Sequence, residues 1–228
     1  VFFWAASSVA SAAYSRETRS VHLELVLAVD ASSSVDDAEY ALQLAGYVNA
    51  FRDRDVISAI EALAPRGIAV TYVEWSSRRQ QVQSVGWTPV FNEASSRSFA
   101  NAIEQTANTL KGSGTAIGEA MLFSSDLFRK NRFDGDRRII DISADDRYNA
   151  GSAPSYARDI VVKNGIVING LVIDKTGFLA SYFRDNVIGG SGSFVISANS
   201  YLDFATSIKL KLLRELNPNR PVAGLRHQ

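Results

Sequence analysis

The chain has 228 residues, 46% of them hydrophobic, and carries 24 Lys and Arg against 24 Asp and Glu. This size suffices for one sizeable core, and the balanced charge gives no electrostatic footprint for nucleic acid or an anionic membrane. Cysteine is absent, which excludes disulfides, cysteine nucleophiles and thiolate metal sites. Any site chemistry therefore rests on oxygen and nitrogen atoms.

The chain starts with VFFWAASSVASAAYSRETRS, which changes from apolar to small and then to polar residues. Phe2, Phe3 and Trp4 suit the end of an export signal's apolar region, and Ala10 to Ala12 fits a small-x-small cleavage site. This apolar, small-residue start is shorter than a membrane-spanning helix, which needs about 20 residues. We predict that residues 1–20 are a signal-peptide remnant or an N-terminal anchor, with membrane contact only if the segment is retained. The alternative is an amphipathic helix packed on the domain.

This interpretation of residues 1–20 implies export, to the periplasm, the cell exterior or the lumen of an organelle of bacterial descent.

From Val21 onward, apolar runs of strand length alternate with longer segments of helical period. The alternation indicates an α/β fold with a mainly parallel sheet, covered by helices on both faces. We predict one domain over 21–216 and a C-terminal tail over 217–228.

The predicted strands follow in chain order, and the third is expected to return antiparallel at an edge. They lie at 23–31, 67–77, 81–90, 137–145, 165–173 and 193–198. Helical patterns lie between them, at 36–52, 93–110, 116–130, 153–164, 178–187 and 200–216. No repeat or low-complexity linker interrupts this order.

Hard oxygen donors gather where predicted strands end or a helix begins. They are Asp30, Ser32, Ser34, Thr115, Asp145 and Asp146. In an open parallel sheet, ligands bind beyond the carboxyl ends of the strands, so these side chains are expected at one edge. Magnesium takes six oxygen ligands in a near-octahedral array and keeps several waters. The sequence therefore predicts a small, polar site for a divalent cation.

The order D-x-S-x-S over Asp30, Ser32 and Ser34 has a physical reason. Residues two apart in an extended segment project to the same side, so these three can face one point while Ser33 faces away. Neutral hydroxyls fill coordination positions without neutralising the ion, which stays electrophilic toward an incoming carboxylate.

The stretches LVLAVDASSSV, GTAIGEA and IIDISAD resemble the three loops of the metal-ion-dependent adhesion site (MIDAS) of von Willebrand factor A domains. More narrowly, AVTYVEWSS, IIDISADDRYNAG and GIVINGLVI resemble a bacterial exported group, domain of unknown function family 1194. The resemblance covers about residues 21–216. It implies a doubly wound, Rossmann-like sheet of six strands with one antiparallel edge strand.

The resemblance also implies roles for individual residues. Ser32, Ser34 and Thr115 would ligate Mg²⁺ or Mn²⁺ through their hydroxyls, and Asp30 and Asp145 would act directly or through bound water. A Glu or Asp of a protein partner would take the sixth position. The chain departs from the narrower group at one position, because Asp146 stands where that group usually has glycine. A second carboxylate there would tighten the cation or repel the partner's acid.

Each of these residues has a simpler interpretation as well. Ser32 and Ser34 would serve as caps of the helix that starts in SVDDAEY, and Thr115 as an N-cap. The glycines around Thr115 would suit a phosphate at a helix start, but the phosphate-loop pattern with its Lys is missing.

Glu74 is a further candidate for the rim of the site. Asp141 lies in an apolar strand, where a carboxylate needs a buried partner.

Catalysis is the less favoured class of function. The chain has two histidines, His22 and His227, and neither adjoins a nucleophile elbow. Metal-assisted hydrolysis by Asp30, Asp145 and Asp146 remains an alternative. The main alternative is a structural subunit of a larger complex that binds through another face and has an inactive metal site, with the N-terminal segment or the tail as docking arms. We favour a non-enzymatic, cation-dependent protein-binding domain for adhesion or assembly.

Overall fold

The computed structural model describes residues 18–107, 110, 112–174 and 176–217. Most of the predicted export segment and nearly all of the C-terminal tail lie outside these residues. The described strands are β1 (Arg19–Asp30), β2 (Ile68–Trp75), β3 (Gln81–Val90), β4 (Phe133–Ala144), β5 (Val167–Ile173) and β6 (Val195–Ala198). The described helices are α1 (Asp37–Arg52), α2 (Arg54–Glu61), α3 (Glu93–Glu104), α4 (Ile117–Lys130), α5 (Pro154–Lys163), α6 (Phe178–Asn186) and α7 (Phe204–Leu216).

The six strands form one sheet in the order β3-β2-β1-β4-β5-β6. All neighbours pair in parallel except β2 and β3, which pair antiparallel. The predicted doubly wound α/β fold with one antiparallel edge strand is therefore confirmed. The chain proceeds from β1 toward one edge and from β4 toward the other, so the topological switch point lies between these two central strands. Ligand sites in such sheets lie outside the carboxyl ends at that point.

Alternate side chains of β1 enter the two halves of the core. Leu25 and Leu27 pack with α1, α3 and α7 on one face, whereas Val26 and Ala28 pack with α4, α5 and α6 on the other. A central strand buried on both faces needs no polar alternation, which is why the second half of β1, from Leu25 to Val29, is a continuous apolar run.

The structure adds features that the sequence patterns did not predict. The short helix α2 follows α1 directly, with the Asp53 carboxylate accepting the N–H groups of Asp55 and Val56 at its start. Strands β1 and β4 begin before their predicted starts and pair from Arg19 and Phe133 onward. Among the helices of the described residues, none combines the length and apolar content that crossing a membrane requires.

Candidate metal site

Three predicted donor segments meet at the carboxyl edge of the sheet, at the switch point. Asp30 ends β1, Asp145 directly follows β4, and Thr115 lies just before α4. Backbone hydrogen bonds tie these segments together: Ser33 N–H donates to the Gly112 carbonyl at 3.2 Å. The arrangement of two neighbouring parallel strands therefore brings together residues that are far apart in sequence.

Asp30 is fully buried, and its two carboxylate oxygens differ. Oδ1 accepts the backbone N–H of Ser32 at 2.8 Å, whereas Oδ2 has no hydrogen-bond partner among the described residues. Burial raises the pKa of Asp30 to about 7; the neighbouring polar groups of Ser32 oppose the rise, and the carboxylate of Asp145 adds to it. A buried polar atom without a partner costs free energy, so this oxygen is suited to a ligand that is positively charged.

Ser32, Ser34 and Asp145 form one chain of hydrogen-bonded oxygens. The Oγ atoms of Ser32 and Ser34 lie 3.0 Å apart, and Ser34 Oγ donates to Asp145 Oδ1 at 3.1 Å. Tyr201, in the loop before α7, donates its hydroxyl to Asp145 Oδ2 at 3.0 Å. Burial and the Asp145 charge raise the pKa of Tyr201 far above its ordinary value, so its hydroxyl remains a donor.

Thr115 is held in place by its backbone. It is 2% exposed, its N–H donates to Asn149 Oδ1 at 2.8 Å, and its carbonyl accepts the Asn149 N–H at 3.2 Å. Asn149 belongs to the loop after Asp145, so this pair of bonds joins two donor segments. The side chain is not an N-cap here, because the first turn of α4 receives no side-chain cap.

The two residues predicted for the rim have different surroundings. Asp146 is exposed, and its Oδ1 accepts the N–H of Arg147 at 2.7 Å. Glu74 is only 1% exposed, and its carboxylate accepts the hydroxyls of Tyr40 and Ser84. The prediction that Glu74 lies on the rim of the site is wrong. Glu74 is paired with Val29 in the sheet, and its side chain is buried beneath α1.

Sequence reasoning did not identify two residues that position the site. Tyr201 orients Asp145, and Asn149 holds the Thr115 loop. Neither has a local pattern that marks it, since each acts on a residue in a distant segment. Asn149 does follow the SADD stretch closely, and a polar residue in a loop at a strand end is a general signal of a site.

The donor set suits a hard divalent cation. Its carboxylate and hydroxyl oxygens match the ligand preference of Mg²⁺ and Mn²⁺, and Asp30 Oδ2 supplies a buried carboxyl oxygen with no hydrogen-bond partner among the described residues. The described residues hold no group of three or more His, Cys, Asp and Glu that could bind a metal. The two findings are compatible, because three of the five predicted ligands are hydroxyls.

The doubly wound sheet, with this loop cluster at its switch point, has a fold like that of von Willebrand factor A domains. A family profile described as "Protein of unknown function (DUF1194)" matches residues 20–220. The chain therefore belongs to this family. A search of functionally curated proteins found no match.

Several solved structures share the fold. Proximal thread matrix protein 1 of the mussel byssus has a TM-score of 0.64 at 18% identity, over 88% of this chain and 49% of that one; one of its structures has a "zinc occupied MIDAS motif". The chain thus spans about half the length of the mussel protein. BatB of Bacteroides thetaiotaomicron has a TM-score of 0.51 at 13% identity, over 86% of this chain and 100% of its own. The vWF domain of the pili tip protein Mfa5 of Porphyromonas gingivalis has a TM-score of 0.59 at 8% identity, over 90% and 98%. At these identities the likeness shows the fold alone.

Proposed function

We propose that this domain binds a protein partner through a divalent cation, Mg²⁺ or Mn²⁺, and that a Glu or Asp of the partner completes the cation's coordination shell. The ligands would be Asp30, Ser32, Ser34, Thr115 and Asp145. The domain acts by binding and performs no catalysis of its own.

The observation that carries the proposal is the carboxylate of Asp30, which is buried with one oxygen unpaired among the described residues. Ser32 lies beside it, and the hydroxyls of Ser32 and Ser34 lead to Asp145. Proteins rarely bury a charged oxygen without a counterpart, because desolvation is costly. A cation next to Asp30 would supply the counter-charge and would favour the ionised form of this carboxyl.

The mixture of ligands supports a binding role. Two carboxylates and three hydroxyls leave a divalent ion with little of its charge neutralised, so it keeps its attraction for a further anionic ligand. The mussel structure with a zinc-occupied MIDAS motif supports the view that a protein of this fold can hold a divalent ion.

We further propose that the domain works outside the cytoplasm. The apolar start of the chain, with its small-x-small stretch, supports export. Two of the structures that share the fold are pilus proteins by their names, a pilus adhesin and a pili tip protein.

The test is isothermal titration of MgCl₂ and MnCl₂ into the purified full chain, into a Ser32→Ala/Ser34→Ala variant and into a Ser33→Ala variant. Ser33 is a matched control, because it lies between the two serines and its exposed side chain is outside the chain of oxygens. We expect binding by the parent and by Ser33→Ala, with loss of at least tenfold in affinity in the double variant. Equal binding by the double variant, or no binding by the parent, would contradict the proposal.

A further inference from the structure

A cavity of about 600 Å³ opens directly beside the candidate metal site. Asp145 lines it and also belongs to the chain of oxygens, so cavity and site are continuous. Its walls come from α1, the loop after β4, the start of α6 and the loop before α7. We call this cavity the side groove. A partner whose acid reached the cation would have its neighbouring residues over this groove.

The rim of the side groove is apolar and exposed. Leu42 is 37% exposed, Phe178 62% and Leu202 78%, and all three line the groove. They are half of the six large hydrophobic side chains that are exposed within the described part of the chain. We call these three residues the collar. Apolar side chains that cluster around one concavity, unlike scattered ones, mark an interaction surface.

The rest of the groove is acidic. Among the described residues that line it, four carboxylates stand against one guanidinium, that of Arg147; they belong to Glu39, Asp145, Asp146 and Asp174. Arg147 lies over the ring of Phe178, 5.2 Å from its centroid, and so covers part of the collar instead of pairing with these acids. Asp146 is exposed, and Glu39 is half-buried, with its carboxylate accepting the N–H of Asp36 at 3.1 Å. A segment that fills the groove thus meets an excess of negative charge among the described lining residues, and basic side chains complement that charge.

We propose that the side groove binds the segment of the partner protein adjoining its metal-bound acid, and that this segment presents an apolar side chain to the collar and a Lys or Arg to Glu39 and Asp146. This inference rests on the proposed function and adds the chemistry of the partner to it. It also gives Asp146 a role. The extra carboxylate that stands beside Asp145 selects a basic residue next to the partner's acid, and does not exclude the partner.

The test uses a displayed library of random peptides as the probe, selected on the full chain in Mg²⁺. The affinity of the enriched peptides is then measured by fluorescence anisotropy for the parent, for the collar variant Leu42→Ser/Phe178→Ser/Leu202→Ser and for a control variant, Val82→Ser/Tyr156→Ser. The control residues are 40% and 62% exposed, like Leu42 and Phe178, and they do not line the groove. All variants replace surface side chains, so circular dichroism should show an unchanged fold.

We expect the selected peptides to combine an acid, an apolar residue and a Lys or Arg within a short stretch. Their binding should vanish with EDTA, weaken at least tenfold (about 1.4 kcal/mol) in the collar variant, and stay unchanged in the control. A Glu39→Lys/Asp146→Lys variant should remove the preference for the basic residue.

The other outcomes separate the two proposals. Peptides that need Mg²⁺ but bind the collar variant as tightly as the parent would overturn the groove and leave the metal-dependent function standing. Peptides that bind the collar in EDTA would refute the coupling of groove and metal, and with it this inference. Failure to enrich any peptide on the parent over the Ser32→Ala/Ser34→Ala variant would overturn both.

Discussion

Helix α7 is held to the sheet by a buried cluster of charges, and this cluster yields a quantitative prediction. Lys211 Nζ lies 2.6 Å from Asp141 Oδ1 in β4 and 2.7 Å from Glu215 Oε1 one turn along α7. All three side chains are at most 1% exposed. Asn169 Nδ2, in β5, donates to the same Glu215 oxygen at 2.8 Å. Asp141 thus has the buried partner that its place in an apolar strand requires.

We predict that Lys211→Met destabilises the domain by about 3–5 kcal/mol, the usual cost of removing one partner from a buried ion pair. The loss is large because two carboxylates stay buried without their cation, and it is a considerable part of the about 5–15 kcal/mol that stabilises a typical domain. Urea denaturation followed by circular dichroism measures it.

Lys209 provides a matched control on the same helix. It pairs with Asp53 and Asp55 at 2.9 and 2.7 Å, but its side chain is 31% exposed. Pairs in contact with water contribute about 0–1 kcal/mol, so Lys209→Met should have little effect. Replacing all three buried charges, as Lys211→Met/Asp141→Asn/Glu215→Gln, should recover much of the loss. The reasoning is refuted if Lys211→Met and Lys209→Met cost the same, or if the triple variant is less stable than Lys211→Met.

Two further predictions concern single residues. Burial, with Lys211 opposing it and the Glu215 carboxylate adding to it, raises the pKa of Asp141 above its ordinary value. The folded state therefore keeps this proton to a higher pH than the unfolded chain does, and this group's contribution to stability should fall as the pH rises above about 4. Urea denaturation at several pH values should show a shallower fall in Asp141→Asn, and an equal fall would contradict this pKa. Tyr201→Phe removes the donor to Asp145 Oδ2. Calorimetric titration should therefore give a Mg²⁺ affinity about 10- to 100-fold weaker, as for other residues that orient a metal ligand. An unchanged affinity would show that Asp145 needs no such support.

The sequence by itself determined the fold class and the position of the candidate site. Apolar runs alternating with helical periods specify a parallel sheet with two covered faces, because each strand and helix must bury its apolar side. The D-x-S-x-S stretch at the end of β1 and the acid at the end of β4 then lie at the sheet edge where ligands bind. Such features are local in sequence, so periodicity and strand ends suffice to find them. The ligand roles of these residues remain predictions.

Only the tertiary structure decided which distant side chains meet. The register of β1 with β2 places Glu74 under α1 instead of at the rim, and the packing of α7 on the sheet pairs Lys211 with Asp141. The contact of Tyr201 with Asp145 and the side groove arise in the same way, from loops that meet after the chain has folded. A single sequence carries no mark of these contacts, because each depends on the packing angles and register of several elements and not on the order of residues within one.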